Sequence, residues 1–134
     1  MTSIRPKAAR AAAPRALYIL DADASVREGL TRLAVSAGFE AHPCASAEAF
    51  LGEANSAQAA CAVVDICDAG FKDPAVRARL SVLATLLPMI ALSARDDRQT
   101  QRTAQELGAK AFFRKPVDGS ALLDSIEWLI EKDK

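Results

Sequence analysis

The strongest constraint in this chain is a fivefold alternation of two patterns. Short apolar runs (residues 17–20, 39–44, 61–64, 89–92 and 111–113) are each followed by a segment whose apolar residues recur at helical spacing. Val26, Leu30, Leu33 and Ala37 line one helical face; Val76, Leu80, Leu83 and Leu87 line another. A short helix carries Phe50 and Leu51. A polar helix covers residues 97–107, with little beyond Ala104 and Leu107 to bury. The last helix turns Leu122, Leu123, Ile126, Leu129 and Ile130 inward. The punctuation agrees. Asp23, or a Ser25–Glu28 capping box, opens the first helix, Ser46 the second, Asp73-Pro74 the third and Asp118 the last. Gly38 closes the first helix as a left-handed residue would, and Gly108 stops the fourth. Near-continuous apolar runs belong to strands covered on both faces. The pattern therefore predicts an α/β fold, a doubly wound five-stranded parallel sheet in a three-layer (βα)5 sandwich.

At 134 residues and 51% apolar, the chain makes one domain that buries a core without a disulfide or metal staple. The longest mostly apolar stretch, residues 80–92, is too short to span a bilayer and contains Pro88, and no secretory signal is evident. Cys44, Cys61 and Cys67 lack metal-ligand spacing and read as thiols of a cytoplasmic protein. Seventeen bases balance seventeen acids, but unevenly. Arg5, Lys7, Arg10 and Arg15 give residues 1–15 a basic Ala/Pro/Arg tail, expected to be disordered, ahead of a mildly acidic domain over residues 16–134. That domain has no basic stripe, so it is not expected to bind nucleic acid directly.

In a sheet of this kind, ligands bind beyond the carboxyl ends of the strands. Asp21, Asp65, Ser93 and Lys115 follow the first, third, fourth and fifth strands. Two carboxylates suit a hard cation such as Mg²⁺, and a cation, a hydroxyl and an ammonium together suit a phosphoryl group.

With those residues in place, the sequence resembles the receiver domains of two-component response regulators, most of all those that precede LuxR-type DNA-binding domains. The resemblance runs over about residues 16–132. It rests on residues 18–27 (Tyr-Ile-Leu-Asp-Ala-Asp-Ala-Ser-Val-Arg), on Ser36-Ala-Gly-Phe39, on Ala45-Ser-Ala-Glu-Ala-Phe-Leu51, on Val63-Val-Asp65, on Ala91-Leu-Ser-Ala94 and on Leu107-Gly-Ala109 leading to Lys115-Pro116. It implies a flavodoxin-like fold and a regulatory phosphoacceptor rather than an enzyme, with only self-phosphorylation and self-dephosphorylation chemistry. Asp65 would accept a phosphoryl group from a sensor histidine kinase or a phosphotransfer protein. Asp21, Asp65 and the backbone carbonyl of Cys67 would hold Mg²⁺. Ser93 and Lys115 would contact the phosphoryl oxygens, and Pro116 would follow a cis peptide bond. Phe112 matches an aromatic that reports activation on the outer surface.

The main departure from the family is Ala22, where a second metal-binding carboxylate usually stands; its loss should weaken Mg²⁺. Asp68-Ala69-Gly70 and Asp73 depart too, and Asp68 adds a carboxylate near the acceptor. One alternative is a pseudo-receiver that signals through its surface without phosphate. A remote one is a phosphatase of the haloacid-dehalogenase type, with Asp21 as nucleophile and Asp23 as acid. On a helical wheel, Trp128 falls opposite the buried face of the last helix. The resemblance implies docking there, or a homodimer through the fourth helix, fifth strand and fifth helix.

Overall fold

The computed structural model describes residues 15–132. In chain order the elements are β1 (Ala16–Leu20), α1 (Ala24–Ser36), β2 (Glu40–Cys44), α2 (Ala47–Glu53) and β3 (Ala59–Asp65). A 3-10 turn (Ala69–Lys72) precedes α3 (Pro74–Ala84), β4 (Met89–Ser93), α4 (Arg98–Leu107), β5 (Ala111–Arg114) and α5 (Gly119–Lys132). The strands form one sheet in the order β2-β1-β3-β4-β5, with every neighbouring pair parallel.

Side chains alternate across that sheet and so build two cores. Tyr18, Leu20, Ala62, Val64, Met89 and Ala91 face one layer, where Phe50 of α2, Val76 and Leu80 of α3 and Leu107 of α4 are buried. Leu17, Ile19, Cys61, Val63, Ile90 and Leu92 face the other, closed by Leu30 and Ala34 of α1 and Leu122, Ile126 and Leu129 of α5. This is the three-layer sandwich expected from the sequence.

The caps follow the sequence as well. Asp23 rather than Ser25 caps α1, accepting from the Ser25 and Val26 amides. Ser46 caps α2, Asp73 caps α3 with Pro74 following it, Asp97 caps α4, and Asp118 accepts from Ala121 N at the start of α5. Gly38 and Gly108 have φ of 90° and 93°, the left-handed conformation that a Cβ disfavours.

Three expectations need correction. Phe39 is buried but precedes β2, because its amide closes the end of α1 onto Ala34 O. Strand β2 is not an apolar run: it is an edge strand, largely solvent-facing, which is where Pro43 is tolerated. The loop after β3 is not irregular throughout, since Asp68 folds it into a 3-10 turn by accepting from Gly70 N at 2.8 Å.

The basic tail expected over residues 1–15 lies outside the described residues, except for Arg15. Its guanidinium donates to both carboxylate oxygens of Glu127 (3.0 and 2.9 Å) and lies 4.2 Å from the Phe39 ring centre. No helix among the described residues is long and apolar enough to cross a membrane.

Candidate functional site

The strand order reverses at β1: the chain passes outward to β2 and then back across to β3. Crossovers on opposite sides leave a crevice at the carboxyl ends of these two strands. Asp65 ends β3, and Asp21 directly follows β1. Ser93 ends β4 beside Asp65's strand, paired in register with Arg114, so Lys115 emerges one residue beyond.

The structure brings the ionic members of this set together. Lys115 Nζ lies 2.7 Å from Asp21 Oδ2 and 3.1 Å from Asp65 Oδ2. The contact with Asp65 is a hydrogen bond. The approach to Asp21 misses hydrogen-bond alignment, so Asp21 Oδ2 is a buried oxygen held by charge alone. The other carboxylate oxygens are fixed by the backbone: Asp23 N donates to Asp21 Oδ1 and Cys67 N to Asp65 Oδ1, both at 2.9 Å. Asp21 and Ser93 are fully buried, and Asp65 is nearly so. Burial alone would push the Lys115 ammonium down, but the two carboxylates outweigh it and hold the group above its ordinary value.

Ser93 is oriented by neighbours that sequence reasoning missed. Its Oγ accepts from Arg95 N at 2.9 Å and lies 3.1 Å from Cys67 Sγ. The resemblance gives the Cys67 thiol no role, yet it is the side chain that meets the hydroxyl. Spacing along the chain carries no signal for this contact. It arises because β3 and β4 are adjacent and both residues leave their strands at the same rim. Arg27 adds a second unforeseen tie, donating from Nη1 to Asp21 O at 2.7 Å.

Ala22 is exposed in the turn after β1 and offers no ligand. Asp23 does not replace it, because its carboxylate caps α1. Asp68 is buried and turned onto Gly70 N. Among the described residues, no three His, Cys, Asp or Glu side chains gather as metal ligands. What remains is Asp65, Asp21 and the Cys67 carbonyl. That donor set would suit a hard divalent cation only if water completes its shell, as it commonly does for Mg²⁺.

The two aromatics of the expected partner surface differ in exposure. Phe112 is half-buried on the α2–α3–α4 side of the sheet. Trp128 is 60% exposed on α5, with Lys132 Nζ 4.7 Å from its ring centre. It walls a surface depression with Lys110, Ala111, Asp124, Ser125 and Leu129. The Lys115–Pro116 peptide is cis.

Comparison with known proteins agrees with this geometry. Residues 17–127 match the response regulator receiver domain family. The response regulator protein TodT of Pseudomonas putida is 32% identical over 110 residues, 82% of this chain and 48% of TodT. The transcriptional regulatory protein TdiR of Thauera aromatica is 33% identical over the same share of this chain and 48% of its own length. The solved structure of the response regulator StyR superposes with a TM-score of 0.75 at 32% identity, covering 89% of this chain and 60% of StyR. The chain thus spans about half the length of the curated relatives it matches. Neither the family match nor the capping role of Asp23 supports the phosphatase alternative. On its sequence match and its fold, the chain belongs to the response regulator receiver domain family.

Proposed function

We propose that Asp65 is the phosphoryl acceptor of this receiver, that its donor is a sensor histidine kinase or a phosphotransfer protein in the cytoplasm, and that Mg²⁺ assists weakly. The observation that carries this reading is the meeting of Asp65, Asp21 and Lys115 within 3.1 Å at the carboxyl rim of the sheet. The Cys67 amide holds Asp65 Oδ1, leaving Oδ2 to attack phosphorus. As the O–P bond forms, the P–N bond to the donor histidine breaks, and the departing imidazole nitrogen takes a proton. Lys115 already lies beside the attacking oxygen and pairs with the charge of the product. The Ser93 hydroxyl, 3.1 Å from Cys67 Sγ, would donate to a phosphoryl oxygen.

Receiver domains generally bind Mg²⁺ in this acidic pocket, where the ion neutralises phosphoryl oxygens during transfer. Here Asp65, Asp21 and the Cys67 carbonyl would hold it. The lack of a carboxylate at Ala22, with Lys115 already spanning the other two, supports weak affinity. The protein is a regulatory phosphoacceptor, and once Asp65 is phosphorylated its partners, a second copy included, dock on α4, β5 and α5 around Trp128 and Phe112.

The reading is tested by treating the chain with acetyl phosphate and Mg²⁺ and locating the adduct by mass spectrometry. One labile phosphoryl group on Asp65, absent from Asp65→Asn, is expected. Label on Asp21, or none on the intact chain at saturating donor, overturns it.

A further inference from the structure

An apolar stripe runs along the exposed side of α3 and into the turn after it. Ala75, Ala78, Val82 and Leu86 recur at spacings of three and four residues, and all are exposed; Val82 and Leu86 are each 64% exposed. Among the described residues, the charged side chain that lines the groove with Val82, Leu83 and Leu86 is Arg79. The far wall of the groove is α2, through Leu51 and Ala54, and its volume is about 410 Å³. A groove of this kind on the surface marks a contact site.

Charge decides what fits it. One turn before Leu51 on the α2 side stands Glu48, and one turn before Val82 on the α3 side stands Arg79. Both are exposed, and neither has an ion-pair partner among the described residues. The α3 wall of the groove is therefore basic at Arg79, and the α2 surface one turn before the other wall is acidic at Glu48. We infer that this face binds a second copy of the chain. In βα units both helices run antiparallel to the strands, so α2 and α3 lie side by side and point the same way. A two-fold axis parallel to them, in the plane of contact, lays α2 of one copy over α3 of the other at equal height. Each Glu48 then meets the other copy's Arg79 while the apolar stripes pack between them, as a self-complementary interface requires. The charges set the register, and the apolar stripe supplies the attraction. This contact lies across the sheet from α5, so it does not depend on Trp128 or on phosphate.

Sedimentation equilibrium of the unphosphorylated 134-residue chain, kept reduced, tests it. A reversible monomer–dimer equilibrium is expected, unchanged in Trp128→Ala and about tenfold weaker or more in Val82→Glu. Glu48→Arg and Arg79→Glu should each weaken the dimer, and the double variant Glu48→Arg/Arg79→Glu should restore it. These side chains are exposed, so far-UV circular dichroism should show all variants folded. A chain that stays monomeric to about 1 mM, above typical protein affinities, overturns the proposal, even if another protein binds the groove. A dimer indifferent to Val82→Glu, or charge reversals that fail to rescue each other, overturns it as well.

Discussion

Lys115 Nζ stands 2.7 Å from Oδ2 of Asp21, a carboxylate with no exposed surface. Among the described residues nothing else offsets that oxygen, so the lysine is the counter-charge of the pocket as well as a partner of the acceptor. Removing one member of a buried pair leaves the other charge stranded. The pH dependence of this contribution has a definite sign. Burial acts downward on the ammonium, but its close contacts with the Asp21 and Asp65 carboxylates raise it above the ordinary lysine value. The folded state therefore holds the proton more tightly than the unfolded state. Stability from this source is full below the unfolded lysine value of about 10.4 and is lost as pH rises through the higher folded value. Urea unfolding should show wild type more stable than Lys115→Met from pH 7 to 9, with the gap closing only in strongly alkaline buffer. A gap already closed at pH 8 would refute this.

Ala22 should be the residue that limits metal affinity. A carboxylate there would stand directly beside Asp21 at the mouth of the pocket. Ala22→Asp should tighten Mg²⁺ by at least about 10–100-fold, the range seen when supporting groups around a metal are changed. Amide shifts of Asp21, Asp65 and Cys67 during a Mg²⁺ titration provide the measurement. Wild type is expected to half-saturate at roughly millimolar Mg²⁺ or above. Submillimolar binding by wild type, or no gain in the variant, would contradict the assignment.

The three cysteines should separate by reactivity. Cys44 and Cys61 are buried and Cys67 is exposed. Burial, then the nearby Glu53 carboxylate, pushes the Cys44 thiol up to about 11 against the opposing charge of Arg27, so it stays protonated at neutral pH. Iodoacetamide at pH 8 should alkylate Cys67 alone in the native chain. Because Cys67 Sγ touches Ser93 and its amide holds Asp65, that adduct should also slow phosphorylation of Asp65 by acetyl phosphate. Peptide mapping before and after labelling checks both parts. Labelling of Cys44 in the folded protein would show that the α2 side of the core opens.

The sheet was legible in the sequence because four of its five strands, all but the edge strand β2, carry apolar runs and the helices between them repeat at 3.6 residues. Where the pattern was weak, so was the reading. Strand β3 starts at Ala59, two residues before the expected run, because alanines pair in a ladder without marking themselves as apolar. The turn after β3 has no period at all. It depends on Gly70, where a Cβ would come within 2.6 Å of Ala47 Cβ, a neighbour twenty-three positions away that sequence spacing does not reveal. The pocket follows the same rule. That Asp21, Asp65, Ser93 and Lys115 share a rim follows from strand ends alone. That Cys67 meets Ser93, and that one ammonium spans two carboxylates, depends on side-chain directions across neighbouring strands.

Gly70 gives a prediction of its own. The added methyl of Gly70→Ala must displace Ala47, which is fully buried at the start of α2. It also crowds Asp68 Oδ2 at 3.0 Å, the oxygen that caps the 3-10 turn. Overpacking of this kind costs typically about 1–3 kcal/mol. Chemical denaturation should show that loss. A variant as stable as wild type would mean that the loop can relax away from α2.

Trp128 should behave in the opposite way. The residue is 60% exposed, and Leu122, Ile126 and Leu129 on the other side of α5 carry the packing against the sheet. The contact it makes with Lys132 lies within its own helix and at the surface, where such pairs contribute little. Trp128→Ala should therefore change unfolding stability by less than about 1 kcal/mol. An exposed indole beside a depression formed by Lys110, Ala111 and Leu129 is instead suited to contact, since tryptophan is enriched among residues that dominate interfaces. Binding to a partner that docks on α4, β5 and α5 should weaken in Trp128→Ala while phosphorylation of Asp65 continues. Paired measurements of urea midpoint and partner affinity separate the two effects. A large drop in stability with unchanged partner binding would assign Trp128 to the core of α5 rather than to its docking face.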